Sequence, residues 1–256
     1  MLKFKGDELT IVQNKGASQK VLSLELPSAG DHDGTLTMSD LTSTKIIDRA
    51  ATITSFGMYQ DELNPRIGLV YDKTRLIIFK TLEKEIERKF KFKHDSKAEA
   101  LLIEAVCFTD QASLLILATQ GTMLRVYELV PDETSPPKMK FETKFKANKA
   151  VTENSSITQS GMNILVQHNA TTYILEAESF KLLKQLDEKL IAFNLQNLIL
   201  QHPETHRLFL REISDVDVLK FETAPPCPIL LSTFNTEYAI ILTDQYYLQV
   251  VSLNNL

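Results

Sequence analysis

Asp33-Gly34-Thr35-Leu36-Thr37-Met38-Ser39-Asp40-Leu41, followed by Thr44-Lys45-Ile46-Ile47, reads as a tight turn, a strand, a polar corner and a second strand. The same order returns at Asp72-Lys73-Thr74-Arg75-Leu76-Ile77-Ile78-Phe79-Lys80 and at Gln120-Gly121-Thr122-Met123-Leu124-Arg125-Val126-Tyr127-Glu128-Leu129. Self-similarity over tens of residues is the mark of a repeat architecture.

Working outward, Ile53 to Tyr59 leads through a polar turn to Ile67-Gly68-Leu69-Val70-Tyr71 and on to Leu76-Ile77-Ile78-Phe79. Ile103 to Phe108 leads through Thr109-Asp110-Gln111 to Leu114 to Ala118, then to Leu124-Arg125-Val126-Tyr127. A third copy runs Ile157 to Gly161, Asn163 to Val166 and Thr172 to Glu176, with Phe180 to Lys184 as its outer strand. A fourth reads Ile191-Ala192-Phe193, Leu198-Ile199-Leu200, Leu208-Phe209-Leu210 and Val216 to Phe221. The last reads Ile229-Leu230-Leu231, Tyr238 to Leu242 and Tyr247 to Val251, while Leu9 to Val12 and Val21 to Leu24 form part of a blade at the front. These runs have the length and the branched or aromatic content of buried strands. The turns between them carry Asp, Asn, Gln and Gly, which suit hairpins. Phe180 to Leu190 admits a second reading, because Leu182, Leu183, Leu186 and Leu190 also have helical spacing. Seven or so hairpins would also build a stacked sandwich or a pair of β-domains.

The order of turn, alternating strand, acid or polar residue, turn and strand resembles the blade of a WD-repeat β-propeller. Leu36, Leu76, Leu124 and Thr172 fall 40, 48 and 48 residues apart, against a blade period of ~40–45. WD repeats place Trp where this chain has Ser39, Phe79 and Tyr127, and the chain has no Trp. Asp40 keeps the acid position, Lys80 and Glu128 occupy the others, and the family's Gly-His pair is not evident. The resemblance implies an all-β chain, a single degenerate β-propeller of six or seven four-stranded blades spanning residues 1–256. Its last repeat lacks an outer strand, so closure is expected through the termini, with Leu2 to Phe4 or Leu9 to Val12 pairing against Leu248 to Val251.

At 256 residues, 43% hydrophobic and 24% charged, the chain has the composition of a globular domain. A net charge of -5 argues against a surface that binds nucleic acid over its whole extent. Of two cysteines, Cys107 sits in the apolar run Ile103 to Phe108 as a small buried thiol. Low cysteine usage, no secretory core at the front and no spanning run give a cytoplasmic or nuclear expectation. The sequons at Asn154 and Asn169 then carry no glycan.

No constellation reads as catalytic. His202-Pro203-Glu204-Thr205-His206 has the histidine separation of a zinc protease, but Pro203 in a hairpin turn opposes the required helix. Ser160-Gly161 is a turn dipeptide rather than a nucleophile elbow. Asp215 and Asp217 alternate with Val216 and Val218, so they share the solvated face of an outer strand. No Gly-rich phosphate loop occurs. We therefore expect neither an enzyme nor a cofactor or metal site.

The unusual feature is basic. Lys89-Phe90-Lys91-Phe92-Lys93 alternates with period two, placing lysines on one face and phenylalanines on the other. Lys138-Met139-Lys140-Phe141 and Lys144-Phe145-Lys146 repeat the idea, and Phe92 to Phe141 spans 49 residues, close to the repeat. Both stripes are thus expected on equivalent outer strands of neighbouring blades. Lysine on an edge strand guards against aggregation, and it also forms a rim for an acidic partner, an anionic lipid or a nucleic-acid backbone. Thr119 to Tyr127 is similar to a strand of phosphoinositide-binding propellers, although this chain has no adjacent arginine pair. The vesicle-tethering citron-homology propellers share the pattern alone. The expected function is a non-catalytic interaction scaffold in a multiprotein complex, the alternative being an anionic-ligand module that recognises a phosphoinositide headgroup or nucleic-acid backbone through Lys89, Lys91, Lys93, Lys138, Lys140, Lys144 and Lys146.

Overall fold

The structure, a computed structural model, describes residues 2–5, 8–15, 18–25 and 37–40 as backbone. Beyond them it describes 53–59, 61, 63–80, 85–92, 99–145, 155–217, 219–223, 229–234, 238–243, 246 and 248–253. The chain divides into two compact units, Met1–Phe145 and Lys146–Leu256.

In the first unit, β1 (Leu2–Lys5), β2 (Glu8–Lys15), β3 (Ser18–Glu25) and β4 (Thr37–Asp40) form one antiparallel meander. β5 (Ile53–Tyr59), β6 (Arg66–Tyr71), β7 (Arg75–Lys80) and β8 (Glu85–Lys91) form a second. β9 (Leu102–Phe108), β10 (Leu114–Gln120), β11 (Met123–Leu129) and β12 (Lys138–Lys144) form a third. The second unit holds β13 (Ser156–Ser160), β14 (Asn163–His168), β15 (Thr171–Glu176) and β16 (Leu182–Leu186). It continues with β17 (Lys189–Phe193), β18 (Asn197–Gln201), β19 (Leu208–Glu212) and β20 (Leu219–Thr223). Its last sheet has three strands, β21 (Ile229–Phe234), β22 (Tyr238–Thr243) and β23 (Leu248–Ser252).

The second strands β6, β10, β14 and β18 are buried along nearly their whole length, whereas β22 alternates buried and exposed positions. Such a continuous apolar run is what a strand needs when both faces of its sheet are covered. In the first unit Val70, Leu76 and Ile78 pack against Ile103, Val106, Phe108 and Leu114 of the following sheet. In the second, Leu165 and Ile174 pack against Leu190, Leu198 and Leu200, whose sheet packs through Ile199 and Leu210 against Ala239 and Ile241. Gly57 permits this stacking, since a Cβ there would lie 3.2 Å from the Cys107 Cα and the Val106 carbonyl oxygen.

The turns between second and third strands repeat their chemistry. Positive φ falls on Asp72 and Lys73, on Gly121, on Asn169 and on His206, where tight hairpins demand it. The third strands align as the spacing predicts. Leu76, Leu124 and Thr172 each occupy the second position of their strand and are fully buried. Leu36 lies outside the described residues, and β4, which follows it, is the fourth strand of its sheet rather than the third. The opening repeat is therefore displaced by one strand from the alignment based on Leu36.

Four outer strands share a device that the sequence did not announce. Unlike β4, which pairs with β3 in unbroken register, β8, β12, β16 and β20 each have a β-bulge at the same place in the ladder with the third strand. It leaves Glu87, Lys140, Leu183 and Lys220 as extra residues opposite the steps Ile78/Phe79, Val126/Tyr127, Ile174/Leu175 and Leu210/Arg211. A bulge bends the strand and re-aims its side chains. The Phe180 to Leu190 segment is strand, β16 then β17, not helix. Phe180 takes a left-handed φ of 59°, and the backbone groups of Leu182 to Leu186 are committed to the ladder with β15. The fourth outer strand begins at Leu219, later than its valines suggest. Asp215 and Asp217 lie in the preceding turn, where the Asp217 N–H donates to Asp215 Oδ1 at 3.2 Å, so they share no strand face. Val216 is buried from that turn.

Candidate interaction surface

β8 and β12 are the outer strands of consecutive sheets, so the two lysine stripes stand where the alternation places them. Their offset differs from the spacing of 49. Lys91 opposes Arg75, the first residue of β7, and Lys144 opposes Met123, the first residue of β11. Phe92 N–H donates to the Thr74 carbonyl at 3.1 Å and Phe145 N–H to the Thr122 carbonyl at 2.9 Å. The structural partner of Lys91 is thus Lys144, that of Phe92 is Phe145, and the bulge residue Glu87 corresponds to Lys140.

The first stripe alternates cleanly. Lys89 and Lys91 are exposed, while Phe90 and Phe92 pack against the core between the second and third sheets. Phe92 meets Tyr127 edge-on, ring centroids 6.1 Å apart. Neither lysine has an acidic partner among the described residues, and the same is true of Lys144. The second stripe is altered by its bulge. Lys140 turns to Glu128, Nζ to carboxylate 3.0 Å, and Lys138 lies 3.8 Å from Glu133. Met139 is exposed between them. Lys93 and Lys146 lie outside the described residues.

The equivalent bulge on β8 does the opposite job. Glu87 points inward and receives two bonds from Arg66, Nε at 2.9 Å and Nη2 at 3.0 Å. Arg66 is almost fully buried and also pairs with Asp132 in the loop between β11 and β12. In the first strand of the third sheet, the bulge residue Glu104 joins Lys73 Nζ at 2.8 Å and accepts from Thr119 Oγ1 at 2.8 Å. The bulges therefore tie neighbouring sheets of this unit together. They went unread in the sequence because a bulge leaves no mark on period-two alternation until the register is known.

In the second unit, Lys184 pairs with Asp217 at 2.7 Å, which holds the Asp217 carboxyl below its usual range, chiefly through that hydrogen bond. Glu188 and Arg211 form a half-buried pair at 3.0 Å. His202 Nδ1 caps the turn 203–205, accepting from Glu204 N–H at 3.2 Å and Thr205 N–H at 3.3 Å, and His206 N–H returns to the His202 carbonyl at 3.0 Å. The two histidines thus stabilise a hairpin turn. Ser160 Oγ donates to the Asn194 carbonyl at 2.9 Å, a structural bond. No helix among the described residues is long and apolar enough to cross a membrane. No group of three metal-ligating side chains occurs among them.

No protein-family model matches the chain. No curated protein matches its sequence either. Solved structures do. The C-terminal WD40 domain of Sif2 superposes with a TM-score of 0.56 at 10% identity, over 78% of this chain and 57% of that one. The β-propeller domain of Myceliophteria thermophila Cps50 (Swd1) gives 0.51 at 15% identity, over 81% and 66%. Saccharomyces cerevisiae Sqt1 gives 0.66 at 10% identity, over 97% and 70%. The chain thus spans less than two thirds of the first two structures. With its four-stranded antiparallel meanders and its likeness to a WD40 domain and a β-propeller domain, this chain has the fold of a degenerate, WD-repeat-like β-propeller.

Proposed function

We propose that the protein is a non-catalytic scaffold subunit of a multiprotein complex, and that it engages an acidic partner through Lys89, Lys91 and Lys144. The observation that carries this reading is the contrast between the stripes. These three lysines are exposed with no acidic partner among the described residues, whereas Lys138 and Lys140 have Glu133 and Glu128 beside them. An edge guard needs only charge and tolerates an intramolecular partner. A docking residue keeps its charge for another molecule, because complementary potentials steer encounter and fix register. The rigid backing of Phe90 and Phe92 favours the same reading, since it holds the lysine-bearing strand in place.

A cytoplasmic or nuclear location accompanies this proposal, as does a single domain over residues 1–256. Closure of that domain through its termini is part of it. β2 already has ladders on both edges, to β1 and β3, so the strand proposed to complete the last sheet beside β23 is Leu2 to Phe4 rather than Leu9 to Val12. The likeness to the WD40 domain of Sif2 and the β-propeller domain of Swd1 supports a protein partner. Affinity capture of the tagged chain followed by mass spectrometry tests it, with anionic vesicles and single-stranded RNA as parallel baits. Recovery of a defined set of proteins, lost with raised salt, is the expected outcome. Retention of vesicles or RNA with no protein set would transfer the lysines to the anionic-ligand role.

A further inference from the structure

The loop between β11 and β12, Val130-Pro131-Asp132-Glu133-Thr134-Ser135-Pro136-Pro137, carries a feature of its own. Ser135 is followed directly by Pro136, and Lys138 stands three residues after it. Proline at the next position restricts Ser135 to extended backbone and removes an N–H that would otherwise need a partner. Asp132, Glu133, Thr134, Pro136 and Lys138 are exposed, so an enzyme can approach the segment as an extended strand.

Beneath the loop lies an arginine with no counter-charge among the described residues. Arg88, on β8, donates from Nη2 to the carbonyls of Ser135 at 3.1 Å and Thr134 at 3.3 Å, and from Nη1 to the carbonyl of Glu133. Its guanidinium lies over the Phe90 ring, 4.6 Å from the centroid, which fixes its plane. All these acceptors are neutral, and no carboxylate pairs with Arg88 among the described residues. Ser135 Oγ donates to Glu133 Oε2 at 2.8 Å, and that carboxylate is also the one 3.8 Å from Lys138. Ser135 thus has a guanidinium on its backbone carbonyl, and its hydroxyl shares the Glu133 carboxylate with Lys138, an arrangement suited to carrying an anion.

We propose that Ser135 is a phosphoacceptor for a proline-directed protein kinase that also reads a basic residue three positions downstream, and that Arg88 and Lys138 hold the phosphate. Ser135 Oγ attacks the γ-phosphorus of ATP, the bond from that phosphorus to the β-phosphate oxygen breaks, ADP leaves, and the hydroxyl proton passes to the kinase's catalytic aspartate. The product carries about -1.5 to -2 charge at neutral pH. It repels Glu133, takes over Lys138, and gives Arg88 a charged acceptor where its acceptors among the described residues are carbonyls. Phosphorylation therefore exchanges the Ser135–Glu133 bond for a phosphate–Arg88 bond and tightens the loop onto β8.

The test incubates the full chain with ATP and a cyclin-dependent kinase, maps the phosphate by mass spectrometry, and follows its titration by phosphorus NMR. The expected result is one phosphate at Ser135, lost in Ser135→Ala and acquired more slowly by Lys138→Ala. Its second ionisation should lie below the ordinary value of about 6 in the folded chain and return to it in denaturant, a comparison that does not depend on an Arg88 variant folding. Arg88→Gln should move the folded value upward as well. A folded chain that takes no phosphate at Ser135, whether or not a peptide of residues 130–142 does, overturns the acceptor assignment. A Ser135 phosphate that titrates identically folded and denatured overturns the role of Arg88.

Discussion

β8 and β12 are both lysine-bearing strands with the same place in consecutive sheets, yet the bulge directs different side chains in each. On β8 the extra residue is Glu87, which meets the buried Arg66 and leaves Lys89 and Lys91 to solvent. On β12 it is Lys140, which turns to Glu128 at the surface and engages its own sheet. The difference teaches that a charge stripe cannot be read from spacing alone. The ladder register decides which charges are spent inside the molecule.

The largest break in this comparison is expected at Arg66. Its removal strands Glu87, whose side chain is 10% exposed, and an uncompensated buried charge costs ~3–5 kcal/mol. Urea denaturation of Arg66→Ala should show that loss, and Arg66→Met combined with Glu87→Leu should recover much of it. A single variant as stable as the wild type would mean that the β8 bulge is not a buried tie. Next come the leucines on which both sheets rest. Leu76→Ala and Leu124→Ala should each cost ~2–5 kcal/mol, because both are fully buried and leave a cavity. Matched losses would confirm that β7 and β11 are equivalent, and an unaffected unfolding midpoint for either would deny it.

A smaller effect is expected with pH. Burial raises the Tyr71 hydroxyl above its ordinary value, outweighing the lowering by Arg75, and burial likewise raises Tyr173 in the second unit. The folded state therefore prefers the neutral phenol. Stability from this source is complete below the ordinary phenol value of about 10 and falls as pH climbs through the raised folded values. Tyr71→Phe and Tyr173→Phe should each flatten the alkaline loss seen by circular dichroism, and an unchanged alkaline profile in both would refute the assignment. The smallest effect is at Lys140. Its half-exposed pair with Glu128 should give ~0–1 kcal/mol in a double-mutant cycle, against the several lost at the equivalent Glu87 pair.

Much of the fold was legible because third strands combine a tight turn with an apolar alternation, as at Leu76, Leu124 and Thr172. The outer strands were harder to place. At Val216 a buried turn residue imitates the start of a strand, and at Leu182 to Leu190 the bulged strand β16 and the start of β17 together imitate helical spacing. The candidate site was half legible. Period two separated Lys89 and Lys91 from Phe90 and Phe92, but the pairing of Lys138 and Lys140 with Glu133 and Glu128 depends on a bulge and a loop conformation. Arg66, Glu87 and Arg88 were missed altogether, since a charge beside a turn or within the charged run Glu85 to Lys89 looks like an ordinary surface position until its partners, 21 to 66 residues away in sequence, are folded against it.

The central claim is that the β8 lysines and Lys144 are kept for a partner, and that Lys138 and Lys140 are not. Two charge-reversed proteins separate these sets, Lys89→Glu/Lys91→Glu/Lys144→Glu and Lys138→Glu/Lys140→Glu, each captured from cells beside the wild type and quantified by mass spectrometry. Both should melt close to the wild type, because exposed substitutions usually change stability by no more than about 0.5 kcal/mol. The first reversal should lose a defined set of partners and the second should retain it. Full recovery by the first protein, or loss confined to the second, would contradict the claim.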